Sequence, residues 1–145
     1  MKRLKIKWIT RKAVREAAKK SLRAAWRMSI EHWSQVCEAP QEEFMDALNA
    51  GKVNINACFC SLCQRVTLEG HKKCPFNIDC NNNRNGGSSC FVEWDLANNS
   101  LYTNYNKFFL ILRHNVFHRL VVGYNKKYHT NLPAYQASRQ EENKN

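Results

Sequence analysis

The stretch LRAAWRMSIEHWSQVC, residues 22–37, decides how the chain folds. Its apolar residues Leu22, Trp26, Ile30, Trp33 and Cys37 recur at steps of four, four, three and four, which places them on one face of an α-helix. The helical pattern reaches back to Val14, so the spacing predicts one helix from Val14 onward with its basic side chains mostly off the apolar stripe. Cys37 lies on that stripe and reads as a small core residue.

Downstream, Pro40 in a first-turn position, the acids Glu42, Glu43 and Asp46 near the positive end of the dipole, and Phe44 and Leu48 four apart predict a second helix that stops at Gly51. A third is predicted over Asn104 to Val122, with Phe108, Ile111, Leu112, Val116 and Leu120 as its buried face and Gly123 as its end. Between Lys52 and Asp95 no long periodic pattern survives, and Asn81 to Gly87 reads only as loop. The expected fold is a small, mainly α domain of about three helices with an irregular zinc-stapled loop region and room for a short β-hairpin. The expected layout is a basic arm over 1–27 running into the first helix, one zinc-stapled globular domain over 28–136, and a polar tail over 137–145.

The staple is inferred from cysteine. Six of the seven cysteines fall within residues 58–90, and in a reducing compartment such a cluster favours a metal over disulfides. Cys60-Ser61-Leu62-Cys63 supplies two thiolates from one tight turn, and His71-Lys72-Lys73-Cys74 repeats the two-residue gap. A structural Zn²⁺ held by Cys60, Cys63, His71 and Cys74 is the preferred set, with Cys80 and Cys90 as rivals for the fourth position. Cys58 is badly spaced for the same ion. A thioredoxin-like redox role lacks its βαβ surroundings.

Charge is concentrated at the other end of the reading frame. Residues 1–27 hold eleven Lys and Arg against the single acid Glu16, a local charge of +10 out of the formal total of +11. Such a segment meets polyanions. Lys5, Lys7, Arg11, Lys12, Arg15, Lys19, Lys20, Arg23 and Arg27 are the candidate phosphate contacts, and Trp8 and Trp26 are candidates to stack on unpaired bases or to enter the core. Residues 2–7, where charge alternates with Leu4 and Ile6, read as an edge strand or a tail that folds on its partner. The apolar pair Trp8-Ile9 is closed by Thr10-Arg11-Lys12, too short for an export signal. The segment from Phe108 to Val122 is interrupted by Arg113, His114, Asn115, His118 and Arg119, so no transmembrane segment is expected and the chain is expected to be soluble and intracellular.

His114 and His118 sit one helical turn apart, as metal ligands do, but no acid stands between them and no complete catalytic set accompanies them. The alternative for that helix is a polar face showing Arg113 and Arg119 to solvent or phosphate. A non-catalytic nucleic-acid-binding protein is therefore expected ahead of a metal-dependent nuclease. The alternative is a protein-interaction module that docks on a host enzyme or defence factor, and attachment to an anionic membrane surface through the Trp-containing arm comes after it.

Ser29-Ile30-Glu31-His32-Trp33, Cys60-Ser61-Leu62-Cys63, Cys74-Pro75, and Cys90 followed by Phe91 to Trp94 together resemble a loosely defined group of small tailed-phage proteins. The match spans about residues 29–94. In that group a cysteine often takes the place held here by His71, which fits a ligand swap. The group has no established activity, so the resemblance implies a phage-encoded accessory protein in a bacterial host cytoplasm and supplies no reaction.

Overall fold

A computed structural model describes residues 6–55, 60–68, 96–97, 100 and 107–134. Those residues include five helices with defined bounds and no strand: α1 (Arg11–Lys20), α2 (Leu22–Glu38), α3 (Gln41–Asn49), α4 (Ser61–Leu68) and α5 (Lys107–Tyr128), and Leu96, Ala97 and Ser100 are helical as well. The loop over 69–95 with its expected hairpin, and the tail from 137, lie outside the described residues.

The single helix expected from Val14 is two helices, because Ser21 breaks it. Ser21 is fully extended (φ −172°, ψ 164°), its N–H donates to Ala17 O, and its hydroxyl accepts from the Ala24 N–H at 3.0 Å. One serine thus closes α1 and caps α2. Serine favours this position because its short hydroxyl satisfies a backbone N–H that the first helical turn leaves open. Thr10 caps α1 in the same way, accepting from the Ala13 N–H at 3.1 Å.

Helix α2 is the central element. Its predicted stripe is buried: Trp26, Ile30, Trp33 and Cys37 are all under 7% exposed, with Leu22 half-buried at the end. A second row, Ala25, Ser29, His32 and Val36, is buried as well, so α2 is covered on two sides. Helix α5 packs along it, and α1 and α4 pack against it and against each other.

The turn into α3 follows from Pro40. A proline disfavours helical backbone in the residue before it, and Ala39 is accordingly extended (φ −70°, ψ 135°). Pro40 itself is the N-cap rather than a first-turn residue, and Glu42 and Glu43 occupy the first turn. Gly51 ends α3 as expected: at φ +76° it takes the left-handed conformation, its N–H donates to Leu48 O and the Lys52 N–H to Ala47 O.

Helix α5 departs from expectation in its end and its buried face. Gly123 stays helical, and α5 runs on to Tyr128, where His129 (φ 57°) takes the left-handed position and the Thr130 N–H donates to Asn125 O at 3.2 Å. Asn125 reinforces that stop, its carbonyl oxygen accepting from Thr130 Oγ1 and the Leu132 N–H, its amide donating to Leu132 O. The buried face is Phe109, Arg113, Val116, Phe117, Leu120, Val121 and Tyr124, whereas Ile111 is 60% exposed and Leu112 only half-buried. The side chain of Phe108 lies outside the described set. Arg113, read as a solvent-facing residue, is 2% exposed.

Candidate nucleic-acid interface and metal site

Residues 6–10 run as extended chain along α2 and α3, held by side chains instead of by a strand. The Gln35 amide donates to Lys7 O at 2.8 Å and accepts from the Ile9 N–H at 3.0 Å, and Glu43 Oε2 accepts from the Ile6 N–H at 2.7 Å. Gln35 thereby offers the chain the donor and acceptor that a neighbouring strand would. Trp8, half-buried, meets Phe44 edge-on at 6.1 Å.

From this strap the cations lead along the surface. Lys7, Arg11, Lys12, Arg15, Lys19, Lys20, Arg23 and Arg27 are all exposed, while Lys5 lies outside the described residues. On α1 only Val14 and Ala18 are buried, which leaves the remaining faces to charge. Arg11, Arg15 and Lys19 fall at i, i+4 and i+8 and make one uninterrupted basic row; the next row, Lys12, Glu16 and Lys20, carries the one acid.

Arg23 and Arg27 continue the basic surface at the start of α2, and the end of α5 fixes them. The Arg23 Nε–H donates to Tyr124 Oη at 2.8 Å, and its guanidinium lies 4.8 Å from the Tyr128 ring centre. Arg27 lies 5.7 Å from the Tyr124 ring and Lys127 5.7 Å from the Tyr128 ring. Lys126 and Lys127, both exposed, extend the basic surface onto α5. They escaped the sequence reading because they lie a hundred residues from the segment they join. Tyr128 itself has its phenol pushed up by partial burial and by Tyr124, with Arg23 opposing.

Trp26 is not available for stacking. It is 2% exposed, its indole N–H donates to Leu120 O at 3.0 Å, and Tyr124 and Tyr128 meet it edge-on at 6.1 and 6.0 Å. Of the two candidate stacking residues only Trp8 remains at the surface.

The first two expected metal ligands are described. Cys60 precedes α4 and Cys63 lies in its first turn; both are half-buried thiols, their sulfurs 3.0 Å apart, and the Cys63 N–H points to Cys60 Sγ at 3.3 Å. Bonds of about 2.3 Å in a tetrahedral zinc site would set the two sulfurs about 3.8 Å apart, an adjustment within the reach of side-chain rotation. These two thiols can therefore turn toward one zinc ion. His71, Cys74, Cys80 and Cys90 lie outside the described residues, and among the described residues no cluster of three ligating side chains occurs.

The turn that carries the thiols is anchored to the rest of the fold. Ser61 Oγ donates to Val14 O at 2.8 Å, the Leu62 N–H donates to Ser29 Oγ at 3.4 Å, and Arg65 donates to Ala18 O and Lys19 O at 3.1 and 3.2 Å. Ser29 and Ser61 thus join α2, α4 and α1.

Cys37 is sealed in the core. Its Sγ–H donates to Arg113 O at 3.3 Å, and burial pushes its pKa up to about 12 against the opposing charge of Arg113, which keeps it a thiol. His32 is equally enclosed, its Nε2–H donating to Asn54 O at 2.9 Å, and burial lowers its pKa to about 4. On α5, His118 is exposed and its Nδ1–H donates to Ala134 O at 3.1 Å, while His114 is half-buried.

No helix among the described residues is long and apolar enough to cross a membrane. Comparison with known protein families, characterised proteins and solved structures returns no match.

Proposed function

We propose that this chain is a phage-encoded accessory protein that binds nucleic acid without catalysis through the cations of α1 and the start of α2, with a structural Zn²⁺ holding the cysteine-rich segment. The observation that carries the reading is the uninterrupted, exposed basic row Arg11, Arg15 and Lys19, flanked by exposed Lys12, Lys20, Arg23 and Arg27. Cations spaced along a helix neutralise successive phosphates and release their counterions, giving affinity that falls with salt and depends little on sequence. The zinc is assigned to Cys60, Cys63, His71 and Cys74, with Cys80 and Cys90 as rivals for the fourth position, and the support for it is the Cys-x-x-Cys turn with its N–H to sulfur contact.

The test keeps the fold. Removing residues 1–27 would also remove buried Val14, Ala18 and Trp26, so Arg11, Arg15 and Lys19 are changed together to Gln. Affinity for duplex should fall, and the slope of log affinity against log salt should shrink by about 2–3. An unchanged slope overturns the proposal. Wild-type protein that ignores duplex and single strand at about 50 mM salt, but is captured by an acidic host protein, establishes the docking alternative instead.

A further inference from the structure

The cations that the fold gathers around Trp8 are not all from the basic segment. Lys52, far from it in sequence and reading as an ordinary loop residue, is exposed immediately after the left-handed Gly51 that ends α3. The strap made by Gln35 and Glu43 lays residues 6–10 beside that turn. Between them opens a cleft of about 560 Å³ lined by Trp8, Lys7, Thr10, Arg11, Lys12 and Lys52. Its size falls in the range of small-ligand sites. Its lining includes four cations and no acid. The mouth is open at Gly51, where a Cβ would meet no atom within 4 Å. A second cleft of about 300 Å³ shares Trp8 and Lys52 with the first but is lined also by Glu43 and Asp46, so acids line the one and none lines the other.

The geometry points to the cationic cleft as a binding site for one unpaired nucleotide of a single strand, its base against the Trp8 indole and its flanking phosphates on Lys7, Arg11, Lys12 and Lys52. This deepens the nucleic-acid reading and rests on it. An indole gives stacking area without asking for a particular base, and base stacking on an aromatic side chain supplies much of the affinity of sequence-tolerant single-strand binding. A paired base keeps both faces covered by its neighbours and cannot offer one to Trp8. The cleft therefore distinguishes single strand from duplex, whereas the row Arg11, Arg15 and Lys19 serves both. Glu43 and Asp46 in the second cleft repel a phosphate, which favours the first cleft for the strand.

The test measures a fluorescein-labelled dT oligonucleotide and a duplex of equal length against the full chain, in parallel, for wild type, Trp8→Leu and Lys52→Glu. Wild type should prefer the single strand. Each variant should lose about tenfold or more in single-strand affinity and stay within about threefold on duplex. Lys52→Glu touches only an exposed side chain, so it decides the matter if Trp8→Leu proves unfolded by circular dichroism. Equal affinity of wild type for both polymers, or Lys52→Glu weakening both alike, overturns the cleft while leaving duplex binding intact. Loss of binding to both polymers in wild type overturns the underlying nucleic-acid reading and the cleft with it.

Discussion

Two arginines end two helices in this fold, and they do so in opposite surroundings. Arg65, half-buried on α4, closes α1 by donating to Ala18 O and Lys19 O. Arg113, 2% exposed on α5, closes α2 by donating at 2.7 Å to both Val36 O and Ala39 O, with its Nε–H on Leu110 O. In each case a guanidinium meets the negative end of a helix dipole and the carbonyls that the last turn leaves over. Water can replace Arg65; nothing replaces Arg113. The same contact is therefore an embellishment on the α1–α4 side and a structural requirement on the α2–α5 side. The α1–α4 side instead leans on whatever holds the cysteine turn, because Cys60 immediately precedes α4 and Cys63 lies in its first turn.

Metal removal should separate the two sides most sharply. A structural zinc supplies apparent binding energy on the order of 10–16 kcal/mol that is also folding energy. Chelation should strip amide-exchange protection from α4 and the end of α1 first, and from the α2–α5 pair last. Elemental analysis far below one zinc per chain, or uniform loss of protection, breaks the distinction. Next in size is Arg113→Met, which matches the volume but leaves the α2 carbonyls without their charged donor; urea denaturation should show a loss of about 3–4 kcal/mol.

Acid should act on the same buried side. His32 has a folded-state pKa near 4 against 6.5 for an ordinary histidine, so between those values the unfolded chain holds the extra proton. Stability is intact above pH 6.5 and falls toward pH 4 by a total of about 3 kcal/mol. Replacing His32 with Gln should flatten that slope in a pH series of urea midpoints, and a slope unchanged in the variant assigns it to other groups. The smallest effect belongs to Arg65→Met, under about 1 kcal/mol, since solvent reaches the α1 carbonyls. A loss as large as that of Arg113→Met would show that exposure does not set the difference.

Much of the helical pattern could be read from the chain. The stripe through Trp26, Ile30, Trp33 and Cys37 is buried as its spacing requires, and Gly51 stops α3 because only a residue at ease with positive φ turns there. What failed has identifiable causes. Ser21 sits inside a good helical pattern, and only its capping chemistry reveals that the pattern is two helices. On α5, the apolar run from Phe108 to Leu112 fits several registers, and treating Arg113 as a surface residue selected the wrong one by exposing Phe109 and burying Ile111. A charged residue finds a core position acceptable only when a distant helix end supplies its acceptors, which no local pattern records. Gly123 reads as a stop, yet the α5 stop is built by Asn125 and His129, a hydrogen-bonding side chain and a left-handed residue acting together. The candidate site was legible in charge but not in shape: the cations were named from the sequence, whereas the strap by Gln35 and the arrival of Lys52, Lys126 and Lys127 depend on packing.

The junction at Ser21 has a further effect on what the basic surface presents. Its N–H, carbonyl and hydroxyl are each occupied by a helix end, so the link between α1 and α2 has no slack, and a residue inserted there would part the stop of α1 from the cap of α2. With α1 clamped in this way, the rows of Arg11 and Arg23 keep a fixed separation and angle in the absence of any ligand. A polyanion that bound there would meet a preset template, ordered already during folding.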